Sequence, residues 1–342
     1  MTVNVKELQR NNIQFTAGYS GYEGTFVALS YSTVNFLGAG ETFEVTLQHG
    51  NRIKNYVLGF SEPYFLDYPI SLGFNVYNRY IILPYLYDRK GKGIDLIFGA
   101  RVVGYWRANV TYSYEFVNIT LPEDSLSIDP IYYAMFGLGN YNVSSIYPSI
   151  YRSTIDSPLT PSRGTMYLAS LKYAGTFLGG EIHLVKPRFE FTHFQPIIKG
   201  HSLGFHIEYQ FVKRLRNSEV PFWERFYLGG ERNIRGYEIY TIGPRSEQGT
   251  NVGGEKSLVL NAEYIIAVGG PLYLIGFYDL GNAYAPHQKV SFKDMYTSAG
   301  LEARVFVPAL RIPFRLIFSY NNRRIYETDS KFTFRFAIGT TF

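Results

Sequence analysis

From Trp106 the chain alternates without a break: Trp106, Ala108, Val110, Tyr112, Tyr114 and Phe116 fall on one face, and Arg107, Asn109, Thr111, Ser113 and Glu115 on the other. A period of two is the signature of a strand whose faces meet different surroundings. Half-buried strands of soluble proteins are usually about 5–6 residues long, whereas a tilted strand needs roughly 9–11 to cross a bilayer. The chain ends on the same pattern, with Phe332, Phe334, Phe336, Ile338 and Phe342 set against Lys331, Thr333, Arg335, Ala337, Gly339 and Thr341. Similar runs occupy 12–20, 24–34, 41–50, 53–61, 69–80, 91–103, 105–119, 143–155, 163–174, 179–194, 199–213, 255–267, 270–284, 295–306, 311–322 and 331–342.

Sixteen such runs predict an all-β fold, a transmembrane antiparallel β-barrel spanning 12–342. Alternate connectors are short and rich in turn residues, as at Gly38-Ala39-Gly40, Gly269-Gly270-Pro271 and Pro308-Ala309-Leu310, while several of the others are longer. A closed barrel pairs every backbone group within lipid, which an open sheet cannot do. A soluble sandwich or propeller would show shorter strands and bury its apolar face inside. No run of 18 apolar residues exists; the nearest, Tyr264 to Tyr278, is uncharged but broken by Gly269-Gly270-Pro271.

Composition sharpens this reading at a few points. With 31 Tyr and 27 Phe, aromatics make up 18% of the chain, yet mean hydropathy is only −0.09, so the aromatics are interleaved with polar residues. There is no Cys, which removes disulfides and thiolate metal sites. The net charge of +5 is spread without basic runs, which gives nucleic-acid binding no footing. Nucleophile-elbow, zinc-helix and phosphate-loop signatures are missing, so neither an enzyme nor a cofactor is expected. The six His, at 49, 183, 193, 201, 206 and 287, read as hydrogen-bonding residues of the lumen or interface rather than as metal ligands. The first residues contain no apolar stretch of a secretory signal, so the chain is either cytosolic or a fragment.

One segment, about 214–254, lacks a strand pattern and is too long for an ordinary connector. Its Phe222, Trp223, Phe226, Tyr227, Ile234, Tyr237, Ile239 and Tyr240 are too apolar for a solvated tail, and the lumen of a wide barrel offers them space. There Arg235 would need partners, because a partly buried cation loses hydration. Alternation turns Ser257, Val259, Asn261 and Glu263 inward on one strand and Asp279 inward on the next, so an arginine fork could meet both carboxylates. Gly236 would let the backbone turn tightly beside it. For Arg235 taken alone, a solvated loop arginine is the alternative.

Ile234-Arg235-Gly236-Tyr237 resembles the Val-Arg-Gly-Phe/Tyr motif of the BamA family, barrel subunits of outer-membrane protein assembly machines. Gly229-Gly230, Ile242-Gly243-Pro244, Ala262-Glu263-Tyr264, Phe277-Tyr278-Asp279-Leu280-Gly281, the terminal Phe342, Ser61-Glu62-Pro63-Tyr64-Phe65 and the 158–164 turn fit the same family, so the resemblance covers essentially the whole chain. It implies that 214–254 is the sixth extracellular loop, folded into the lumen with Arg235 held by Glu263 and Asp279. It implies a factor of the bacterial outer membrane that inserts and folds β-barrel proteins without ATP. The route would be a lateral gate between first and last strands, 12–20 with Phe15 and Gly18, and 331–342 with Phe336, Gly339 and Phe342. Implied partners are nascent outer-membrane proteins and outer-membrane lipids, with periplasmic chaperones and assembly lipoproteins reached through soluble POTRA domains. Residues 1–11 resemble only the end of the last such domain, so the chain reads as a barrel without its POTRA arms. A related polypeptide transporter, of the two-partner secretion or translocation-assembly type, is the alternative.

Overall fold

The computed structural model describes residues 10–38, 40–83, 86–121, 137–216, 219–247, 249–307 and 312–338. The alternating runs form one antiparallel sheet whose long strands are β1 (Asn11–Ser20), β2 (Gly24–Val34), β3 (Thr42–Gly50), β4 (Ile53–Glu62), β5 (Ile70–Leu83), β6 (Tyr87–Val103), β7 (Trp106–Thr120), β8 (Gly139–Ser153), β9 (Gly164–Ala174), β10 (Leu184–Ile198) and β11 (His201–Phe211). A two-residue piece, β12 (Lys213–Arg214), extends β11 along β10 after a break at Val212, whose N–H turns to the Glu255 carbonyl. The wall continues with β13 (Lys256–Gly269), β14 (Leu272–Tyr284), β15 (Tyr296–Val307), β16 (Ile312–Asn321) and β17 (Phe332–Ile338). Counting β11 and β12 as one, the wall has sixteen strands, each laddered to its neighbours in sequence order.

Most strands run 9–17 residues, long enough to cross a bilayer at a tilt. The middle of their outer face is apolar: Ile13, Phe15, Leu29, Phe98, Phe189, Leu301 and Phe334 are all exposed on the isolated barrel. Such a continuous belt is stable only against lipid. Connector lengths are less regular than the sequence suggested. The rim that carries the long loop also has the tight turns 21–23 and 51–52, and the opposite rim carries 63–69 and 154–163.

The inward face differs from a simple polar lining. Ile265, Ile275, Phe277, Ile317 and Phe194 form a buried apolar cluster with Ala337. A larger core joins the loop to the wall, with Phe222, Trp223, Phe226, Leu228, Ile234, Tyr237 and Ile242 packing on Val117, Ile119, Val143, Leu184 and Val259. Long-loop residues and wall residues thus share one buried apolar cluster.

The two ends of the sheet meet at a seam. The Tyr19 and Phe336 rings stack with centroids 6.4 Å apart, yet no hydrogen-bonded ladder joins β1 to β17 among the described residues. Gly18 sits within the β1–β2 ladder opposite Phe26, whose ring fills the space a side chain at 18 would need. Gly339, Phe342 and residues 1–9 of the expected N-terminal remnant lie outside the described residues, and Asn11 belongs to the first strand.

Candidate functional site: an arginine tip on the barrel wall

Two glycines let the long loop fold back on itself. Gly229 and Gly230 have φ of +107° and +101°, and a Cβ on Gly229 would overlap the Glu238 carbonyl. The reversal is tied by the Gly230 N–H donating to the Tyr237 carbonyl at 2.8 Å, while Asn233 Oδ1 accepts from the N–H groups of Gly229 at 2.7 Å and Ile234 at 2.8 Å. A compact tip results, presenting Ile234, Arg235, Gly236 and Tyr237 to the inward faces of β13 to β16.

Arg235 is fully buried there. Its Nε and Nη2 donate to Asp279 Oδ2 and Oδ1 at 2.8 and 2.7 Å, and its backbone N–H adds a third bond to Oδ2 at 3.1 Å. Nη1 donates to Glu263 Oε1 at 2.6 Å and to Glu302 Oε2 at 3.3 Å. The guanidinium also lies 3.8 Å from the Phe277 ring centroid. Burial disfavours its charge, but Asp279 and Glu263 outweigh that and raise its pKa, so it stays protonated.

Neighbours complete the network. Asn261 Nδ2 donates to Asp279 Oδ1 and to the Asn233 carbonyl, both at 2.7 Å. Arg315 grips Glu302 with two bonds of 2.8 Å, and Arg304 Nε donates to the same carboxylate at 2.7 Å. Three carboxylates and three guanidiniums thus share one buried site, the condition under which buried ions are tolerable.

Gly236 sits in the tight turn expected of it, closed by the Tyr237 N–H donating to the Ile234 carbonyl at 3.1 Å, and it also serves a second purpose. Its φ is not in the left-handed region; instead, a Cβ would overlap Asn321 Oδ1 and Ser298 Oγ on the wall. Its carbonyl accepts from Asn321 Nδ2 at 2.8 Å and Thr333 Oγ1 at 3.2 Å. Tyr237 donates its hydroxyl toward Asn322 Oδ1 at 2.9 Å and packs edge-on against Tyr296. Ile234 is wholly buried, directly above Gly281.

The Omp85 superfamily domain matches residues 35–342. The chain belongs to the Omp85 superfamily. Among curated relatives it is 28% identical to the outer membrane protein assembly factor BamA of Nitratidesulfovibrio vulgaris, over 100% of this chain and 43% of that protein. It is 26% identical to the Neisseria meningitidis BamA, over 79% and 36%. The mouse sorting and assembly machinery component 50 homolog is 24% identical over 75% of this chain and 53% of its own length. Among solved structures, Haemophilus ducreyi BamA lacking POTRA domains 1–3 superposes with a TM-score of 0.80 at 18% identity, over 97% of this chain and 70% of that one. CdiB from Acinetobacter baumannii gives 0.62 at 10% identity, over 97% and 60%. The Omp85 chain spans about two fifths of the length of the BamA relatives it matches, and it is a bacterial outer-membrane β-barrel.

This Omp85 barrel also holds its loop at a second place, on a neighbouring sector of the wall. Glu224, in the short 3₁₀ turn Phe222–Glu224, receives Lys172 Nζ from β9 at 2.5 Å and Lys186 Nζ from β10 at 3.3 Å. Lys186 further donates to the Glu224 carbonyl at 2.8 Å, while Trp223 and Phe222 pack against Tyr141 and Tyr87. Burial would raise the Glu224 pKa, but Lys172 and Lys186 outweigh it and hold the carboxyl at about 2.

Sequence reasoning had missed Glu302, Arg304, Arg315, Glu224 and both lysines. Inward positions two apart in β15, Glu302 and Arg304, beside an outward Leu301, carried a signal for the first set. Glu224 gave none, because an irregular loop has no period from which to infer a facing wall. The histidines are dispersed: His193 bonds Thr165, His206 Thr192, His201 Tyr264 and His49 Tyr56, and no metal-binding group occurs among the described residues.

Proposed function

We propose that this barrel inserts and folds other β-barrel proteins in the bacterial outer membrane, using an opening between β1 and β17 as a lateral gate. The observation that supports this reading is the seam. Every other neighbouring pair in the wall is joined by a ladder, whereas Tyr19 and Phe336 meet without one among the described residues. Each backbone hydrogen bond is worth about 0.5–1.5 kcal/mol net, so a seam joined by fewer of them opens at lower cost than a fully laddered pair. Once open, the β1 and β17 edges can template an incoming strand by β-augmentation. No ATP is required, since the substrate gains its own barrel hydrogen bonds in lipid.

Substrates in this reading are nascent outer-membrane proteins, delivered by periplasmic chaperones and assembly lipoproteins through POTRA domains of a longer protein. Surrounding lipids receive the product. A related polypeptide transporter would need a free path through the lumen, and the core shared by loop and wall occupies that space.

The test is a reversible lock. The chain has no Cys, so Tyr19→Cys with Phe336→Cys in the full-length protein allows the seam to be closed by a disulfide. Closure is expected to stop insertion of a substrate barrel into proteoliposomes, and reduction to restore it. Insertion at the unlocked rate with the disulfide formed would overturn the gating reading.

A further inference from the structure

The same loop tip that seats Arg235 touches both margins of the seam. On the first-strand side lies the turn between β1 and β2. The Gly21 N–H donates to Glu231 Oε1 at 3.0 Å, and the Tyr22 hydroxyl donates to the Gly229 carbonyl at 2.5 Å while accepting from Asn233 Nδ2 at 3.1 Å. Arg232 stacks over the Tyr22 ring at 5.0 Å and pairs with Glu23 at 3.4 Å, and Tyr240 meets Tyr22 edge-on at 5.3 Å. On the last-strand side, Thr333 Oγ1 donates to the Gly236 carbonyl at 3.2 Å and Arg335 Nη2 to Glu238 Oε2 at 2.9 Å. Both donors belong to β17.

Glu231 joins the two sides within one residue. It is buried; its carboxylate holds the first turn, and its carbonyl accepts from Arg315 Nη1 of β16 at 3.2 Å. Across the seam Tyr19 and Phe336 stack, and the tip adds a set of polar contacts to each margin.

We infer that residues 229–240 form a clasp across the seam, so that β1 and β17 cannot separate until the tip releases one margin. Tyr22 and Glu231 on one side, and Thr333 and Glu238 on the other, are positioning residues for the gate. If β1 swings away, the Tyr22 and Gly21 contacts break; if β17 moves, those of Thr333 and Arg335 break. In either case Arg235 and its carboxylates keep the tip seated on β13 to β16, because that network does not cross the seam. A cavity of about 630 Å³ between the tip, the 323–330 segment and β17 leaves room for such movement. This inference rests on the lateral-gate reading for its use, but its measurement does not.

The experiment places spin labels at Phe15→Cys and Phe334→Cys, outward positions flanking the seam, in the full-length protein in lipid nanodiscs. The parent should give a narrow, short distance. Tyr22→Phe, which keeps the ring and removes only the hydroxyl, should raise the long-distance population about threefold to tenfold, the effect of losing one or two hydrogen bonds. Thr333→Val combined with Glu238→Gln should do the same from the other margin. Heat-modified mobility on gels checks that each variant is folded. Unchanged distance distributions in folded variants of both margins would overturn the clasp, as would lower thermal stability without any change at the seam. Continued insertion through a disulfide-locked seam would sink the gate reading alone, leaving the distance result to stand by itself.

Discussion

Arg235 carries five N–H donors in a rigid fork, and all its side-chain nitrogens are engaged by carboxylates from three strands. Lysine has a point charge in place of the fork and cannot reach Asp279 and Glu263 together with the same geometry. Removing the cation leaves Asp279 and Glu263 buried beside each other, the kind of broken pair that costs about 3–5 kcal/mol. Arg235→Ala should therefore lower the unfolding midpoint of the purified barrel strongly, and Arg235→Lys should recover less than half of the loss. A lysine variant as stable as the parent in urea titration would show that charge, not the bidentate fork, holds the tip. The sequence exposed two of the three carboxylates through strict alternation in β13 and β14. Glu302 escaped because its importance depends on Arg304 and Arg315, which satisfy it first and then share it with the loop.

At the scale of elements, the long loop behaves as a folded insert pinned at two places rather than as a connector. The turn Phe222–Glu224 docks on β9 and β10, and its carboxylate is held at about 2, below the ordinary carboxylate range near 4.5. A depressed folded-state pKa contributes stability that is complete above about pH 4.5 and is lost as pH falls toward 2. Acidification across this window should lower the melting temperature of the parent more steeply than that of Glu224→Gln, which has no carboxyl to protonate. Parallel melting curves for the two proteins between pH 5 and pH 2.5 would place the acid sensitivity elsewhere. Sequence placed this segment against the lumen by its aromatics alone; the docking wall was not legible, since nothing local links residue 224 to 172 or 186.

Taken whole, the molecule is a wall of sixteen strands that shares a buried core with the long loop. The two anchors sit on different sectors, Glu224 on β9 and β10 and Arg235 on β13 to β15, so either one alone can retain the loop. In planar bilayers, Glu224→Gln and Arg235→Ala should each raise ionic conductance modestly. The double variant should exceed the sum of the two, because only then is the loop free to leave. Simple additivity would mean that the anchors do not back each other up. Steps of conductance reported by such recordings would also reveal whether the interior empties at once.

The sequence by itself determined the wall: a period of two, sustained over strands of bilayer length, dictates which side chains face lipid and which face inward. That same period placed Glu263 and Asp279 on the inside, and the motif around Arg235 gave the family. Tertiary structure alone decided which wall residues meet the loop, that Gly236 lets its turn lie close against Asn321 and Ser298, and that one loop tip reaches both edges of the seam. Those contacts join residues such as Gly21 and Glu231, or Gly236 and Thr333, that lie far apart in the chain. Alternation fixes the direction in which a strand residue points, but an irregular loop has no such period, and its partners are set only when the barrel closes around it.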